Sequence, residues 1–325
     1  MRERDMIQNT TPTIDSLPSV GFRRRVLWIG SATGLELGLA RTAIGSQADV
    51  IDSDNPQAAV TLAGNAEAAE ITPVFAVLAS DRPGRFTLAD VLGLSRAWPL
   101  MPIVSVAASL VDGRRRSGPQ LPGIEEVPWH DLPSRCGWWL AAFESGLPSS
   151  LGLPTATRRE ERLLDSMMGL KRRGTANHGR PAMVHLPPIE VSVAASHGDD
   201  LEGLCDLLTL AGHPVANRQL GRPQLDETAA ALVWDVRDLT ARDIEWLRLL
   251  AANRPRLFIV MLDSFPRGDT VLAALRAGAA AILGRPVSLE ALAGALLSTR
   301  TAQAARATQA ASAGHVGLGE ADRRR

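Results

Sequence analysis

Three side chains in the second half of the chain stand where apolar runs stop. Asp235 closes Ala230–Trp234, Asp263 closes Leu257–Leu262, and Arg285 follows Ala280–Leu283 and Gly284. Ser264 comes directly after Asp263. Two carboxylates, a hydroxyl and a guanidinium at such ends could accept a phosphoryl group, help to hold a metal, or pair with one another. A second set, His130, Asp131 and Cys136, has the residue types of a thiol nucleophile with its base. Members of catalytic sets meet in space from separate segments, so nearness in sequence is no argument for catalysis, and no catalytic residue is assigned. Third, Arg114, Arg115 and Arg116 lie in a loop rich in Gly and Pro. They could grip an anionic ligand or an acidic partner, and the alternative is a solvated charged loop.

The elements that must position these residues follow from the patterning. Short apolar runs alternating with helical stretches are the mark of βαβ units on a parallel sheet, whose ligands gather at the carboxyl ends of the strands. Asp235, Asp263 and Arg285 then share one edge. The same half opens with an apolar run, Ile189–Ala194. A helix follows with Leu201, Leu204, Leu207 and Leu208 on one face, ending at Gly212, a residue suited to a left-handed C′ position. Val215 begins a second strand, and a helix near Ser288–Leu297 closes the half. The first half repeats the alternation, with strands at Arg25–Ile29, Asp49–Ile51, Val74–Leu78 and Ile103–Ala107. Gly30 and Gly34 follow its first strand, but neither a G-x-G-x-x-G spacing nor a Gly-Lys-Ser/Thr is present, so a plain β-to-α turn is expected. Val111–Arg135 reads as a shaped loop because of its Gly and Pro. The expected fold class is α/β: two doubly wound parallel-sheet three-layer sandwiches.

Ala229 to Leu297 resembles the second half of a response-regulator receiver domain. Receivers end their third strand on an acceptor aspartate, place an alcohol after the fourth and Lys-Pro after the fifth. The matching places here are Asp235, Asp263-Ser264 and Arg285-Pro286. The resemblance implies a flavodoxin-like fold, tandem and degenerate, clearer in the second half than in the first. In the first half the acceptor place falls on Ala79 or Ser80, and Gly30-Ser31 replaces the family's acidic pair. The family moves its phosphoryl group with a Mg²⁺ held by oxygen ligands, two of them carboxylates just after the first strand. In the second half those places are Ala195 and Ser196, and Asp199 and Asp200 are expected to cap the following helix.

Asp235 is accordingly an inactive phosphoacceptor position, and Asp263, Ser264 and Arg285 are the remnant of a switch. Arg285 is expected to bridge to Asp263, Asp235 or both. No metal and no cofactor is expected. The resemblance also implies that the fourth and fifth strands, with adjoining helices, form a face that binds a protein partner or self-associates. The implied function is that of a non-enzymatic regulatory protein of tandem pseudo-receiver domains. The alternatives are a receiver phosphorylated on Asp235, and an enzyme using His130, Asp131 or Cys136.

Composition bounds these readings. Hydrophobic residues make up 45% of 325, enough for two cores. Lys+Arg and Asp+Glu both number 35, so global charge gives no reason to expect nucleic acid or an anionic membrane as partner. Two cysteines suit a reducing compartment, and the N-terminus lacks the apolar core of a secretory signal, so a cytoplasmic protein is expected. The domains read as a disordered 1–21, a degenerate receiver-like 22–146, a linker with a basic helix at 147–188, a receiver-like 189–299 and a flexible tail at 300–325.

Overall fold

The computed structural model describes residues 24–64, 72–112, 121, 124–145, 149–152 and 188–298. Arg114, Arg115 and Arg116 therefore lie outside the described residues, as do 1–23, 153–187 and 299–325. In the first unit β1 (Arg25–Ile29), α1 (Leu35–Gln47), β2 (Asp49–Ser53), α2 (Pro56–Gly64), β3 (Phe75–Ser80), α3 (Leu88–Ala97) and β4 (Ile103–Ala107) alternate without exception. A short α4 (Ser109–Asp112), β5 (Glu125–Pro128) and α5 (Leu132–Glu144) follow. The second unit comprises β6 (Val191–Ala195), α6 (Gly198–Leu210), β7 (Val215–Leu220), β8 (Ala231–Arg237), α7 (Ala241–Asn253), β9 (Phe258–Asp263), α8 (Gly268–Ala277) and β10 (Ala281–Gly284). A final helix, α9, covers 289–298.

Both sheets are parallel, with strand orders β2-β1-β3-β4-β5 and β7-β6-β8-β9-β10. These are the doubly wound α/β sandwiches expected from the sequence. The central strands are buried on both faces, which is why they read as unbroken apolar runs: every residue of β3, β4 and β6 is buried. Turns and caps agree with the pattern. Thr240 and Asp243 form a reciprocal capping box that starts α7, and Gly212 takes φ +85 beyond α6. One strand escaped the sequence reading. β5 lies inside the stretch expected to be a loop, because Glu125 and Glu126 are charged and only Val127 is fully buried.

The two units pack directly on each other. One apolar cluster includes Trp28, Phe75 and Trp139 of the first unit together with Val271, Ile282 and Ala293 of the second. Helices α5 and α9 meet at Gly294, where a Cβ would fall 1.8 Å from the Ser134 carbonyl oxygen. The starts of α1 and α8 meet at Gly268, where a Cβ would lie 3.0 Å from Glu36 Cγ. Thus the β9–β10 side of the second sheet, with α8 and α9, is covered by α1, α5 and residues 129–135. Among the described residues no helix is long and apolar enough to cross a membrane.

Candidate functional site

The carboxyl edge of the second sheet carries the residues singled out above. Asp235 near the end of β8 is 2% exposed. Its Oδ1 accepts from Arg285 Nη1 at 3.2 Å and from the backbone N–H of Arg237 at 3.0 Å. The second terminal nitrogen of Arg285 donates to Asp200 Oδ1 at 2.5 Å. One guanidinium thus ties the end of β10 to β8 and to the first turn of α6. Burial raises the Asp235 carboxyl above its ordinary range, and Arg285 opposes that shift.

Of the bridges expected for Arg285, the one to Asp235 forms and the one to Asp263 does not. Asp263 is 4% exposed and is held by backbone amides: Oδ1 accepts from the Phe265 N–H of its own loop at 3.4 Å, and the Ser264 amide and that of Leu239, in the loop after β8, also favour its charged form. The contact between the two residues is through the backbone, Arg285 N–H to the Asp263 carbonyl at 3.0 Å. The expectation for Asp200 is corrected. It sits in the first turn of α6 as expected, but its carboxylate serves Arg285, and the N-cap, His197, makes no side-chain capping bond. Ser264 is exposed, and its N–H donates to the Arg237 carbonyl at 2.6 Å. Arg237 itself has φ +63 and places Nη1 3.3 Å from His197 Nε2.

A receiver's Mg²⁺ does not fit this edge. Ala195 is buried and ends β6, Ser196 gives its hydroxyl to the Asp235 carbonyl at 3.4 Å, and the near oxygen of Asp235 is already shared by two donors. Among the described residues no group of three or more His, Cys, Asp or Glu is arranged to hold a metal ion.

Burial also sets a sign for Asp263. Its folded pKa is raised above the unfolded value near 3.9, chiefly by desolvation. The stability it contributes is full below that unfolded value and is lost as pH rises through the folded one. Asp263→Asn does not titrate, so its stability relative to the native chain should climb from about pH 4 toward neutrality. Urea denaturation of both proteins at several pH values measures this, and a flat difference contradicts it.

The other set divides. His130 Nδ1 lies 3.0 Å from Asp131 Oδ1, and that same oxygen accepts the Gly284 N–H at 2.9 Å, so the pair is built into the contact between units. Cys136 is buried in α5 among apolar neighbours and its thiol is pushed up to about 12. A thiol held protonated in this way is no nucleophile at neutral pH.

What the sequence reading missed is a carboxylate. Glu290 in α9 is buried and accepts from Arg135 Nη2 at 2.9 Å, Trp139 Nε1 at 3.0 Å, Ser150 N–H at 2.8 Å and Ser150 Oγ at 2.6 Å. Arg135 also donates to Glu125 at 2.6 Å. Burial pushes the Glu290 pKa up, but Arg135 and Ser150 outweigh it and hold the group below the usual carboxylate range. The sequence signal was Arg135, the one basic residue of α5, beside the apolar stretch that follows it.

No family model matches the sequence, and no curated protein does. Solved structures do. A pilus assembly protein, CpaE, from Burkholderia thailandensis E264 is 25% identical, with the match covering 35% of this chain and 98% of that one at a TM-score of 0.32. The chemotaxis response regulator CheY4 of Vibrio cholerae is 18% identical over 35% of this chain and 99% of its own, TM-score 0.31. A pilus assembly-related protein from Burkholderia pseudomallei K96243 is 22% identical over 34% and 88%, TM-score 0.31. The chain resembles response-regulator receiver domains. Each match spans about a third of it, and two parallel five-stranded sheets are present.

Proposed function

We propose that this is a non-enzymatic regulatory protein of two receiver-like domains, cytoplasmic, acting through contacts with a protein partner and without phosphorylation. The domain limits are those read above, with 22–146 and 189–299 as the folded parts. The observation that carries the reading is the state of Asp235: buried, and held by the side chain that stands in the lysine place. A phosphoryl group would have to displace Arg285 from a carboxylate that has no acidic neighbours at Ala195 and Ser196 to share a metal with. Asp263, Ser264 and Arg285 then act as fixed parts of the edge.

The covered β9–β10 face sharpens the partner reading. In the second unit the surface that receivers use for association is occupied by the first unit, so a partner must engage other surfaces. The competing reading keeps Asp235 as a working phosphoacceptor, and Asp200 is the feature in its favour, since it brings a second carboxylate to the same guanidinium. Treatment of the whole chain with acetyl phosphate and Mg²⁺ separates the two. The expected mass spectrum shows no acyl phosphate on Asp235. A Mg²⁺-dependent phosphoryl adduct that disappears in Asp235→Asn would decide for the competing reading.

A further inference from the structure

A cavity of about 250 Å³ lies between the units. Its walls are mainly apolar, with Leu39 and Ala43 of α1 facing Val271 of α8 and Ile282 of β10. Trp129 and His130 complete it from the loop after β5. No lysine, arginine or carboxylate lines it. Ser46, Gln47, Ser134 and Ser298 add polar groups to the wall, and Gln47 Oε1 is buried without a donor. Trp129 is 3% exposed, and its indole N–H is buried without any acceptor. His130 directs Nδ1 at the Asp131 carboxylate, 3.0 Å away. A carboxylate only accepts, so the neutral ring carries its proton on Nδ1 and leaves Nε2 with a lone pair.

A buried donor without an acceptor is rare because its lost hydration is uncompensated. A wholly apolar space of ~150 Å³ stays dry and takes a benzene ring. This space is larger, has a donor and an acceptor on consecutive residues, and lacks charge. We infer that the interdomain cavity is a binding site for a small neutral molecule of aromatic size that carries a hydroxyl group. Its ring fills the apolar volume between α1 and α8. Its oxygen accepts from Trp129 Nε1, and its proton matches the free nitrogen of His130. Because the walls come from both units, such a molecule binds only the docked arrangement and stabilises it by mass action.

The probes for the test are 4-ethylphenol and its hydroxyl-free counterpart ethylbenzene, added to the full-length chain labelled with 5-fluorotryptophan. Seven tryptophans give separate fluorine resonances, and the one lost in Trp129→Phe is that of Trp129. 4-Ethylphenol is expected to shift this resonance saturably, and ethylbenzene to bind about tenfold more weakly, the scale of one hydrogen bond. Ala43→Leu, which fills the cavity, is expected to abolish the shift. Equal binding of the two probes to the native chain overturns the inference, as does a Trp129 resonance that does not move. A shift that persists in a folded Ala43→Leu chain places the probe elsewhere and also overturns it.

Discussion

Glu290→Ala is expected to cost about 3–5 kcal/mol, the usual consequence of removing one partner of a buried ion pair, and to release the first unit from the second. The carboxylate takes four hydrogen bonds from Arg135, Trp139 and Ser150, all residues 140 or more positions away in the chain. Alanine leaves those donors buried without it. Arg135 keeps Glu125, so the lower part of the range is the better expectation. Glu290→Gln keeps the shape and some of the bonds but not the charge, and should cost less.

Two measurements distinguish a broken interface from a general loss of stability. In chemical denaturation, Arg135→Ala and Glu290→Ala should be less than additive in combination, because each removes the same pair. A protease site placed within 153–187 allows the halves to be separated covalently. After cleavage the native halves should co-elute and the Glu290→Ala halves should part. Additive losses with halves that stay together would show that Glu290 does not hold the interface. The pH sign is also set. A depressed folded pKa means stability that is present above the unfolded value near 4.3 and is lost as pH falls through the folded one. Acid should therefore loosen the clamp.

Much of the fold was legible because its strands are the kind that announce themselves. Ala231–Asp235 and Phe258–Asp263 are central parallel strands with buried faces on both sides, so their sequence is an unbroken apolar run. β5 was not legible for the converse reason: it is an edge strand pairing only with β4, and it carries Glu125, which faces Arg135. The site was half legible. Strand order alone puts Asp235, Asp263 and Arg285 on one edge, but it does not say which way each side chain turns. Asp263 turns into backbone amides, and Arg285 reaches past it to β8 and α6. The interface was not legible at all. Glu290 in Ser-Leu-Glu-Ala-Leu reads as an ordinary helix-surface charge, and only the docking of α9 on α5, allowed by Gly294, makes it a buried acceptor.

Arg285→Ala is the second large expected effect. The guanidinium is 22% exposed at the side chain, Asp235 3% and Asp200 29%, so the Asp235 contact is the desolvated one and the Asp200 contact is partly screened. Removing the arginine leaves Asp235 buried with the Arg237 N–H as its remaining hydrogen-bond donor. A cost of about 3 kcal/mol is expected, the lower end for a broken buried pair. Arg285→Ala combined with Asp235→Ala should regain part of that loss, since the stranded carboxylate goes with its partner. The combination with Asp200→Ala should regain less, and with Asp263→Ala nothing beyond additivity, because Asp263 is held by backbone amides. pH provides a further test. Burial already raises the folded pKa of Asp235, and loss of Arg285 raises it more. Ionised Asp235 is then the unfavourable form, so the deficit of Arg285→Ala should be largest at neutral pH and shrink as pH falls toward the unfolded value near 3.9. Urea midpoints of the single and double variants between neutrality and acid measure all of this. A deficit that is the same at every pH, with losses that add in the Asp235 pair, would mean that Arg285 does not hold Asp235, and the fixed-switch reading would fall with it.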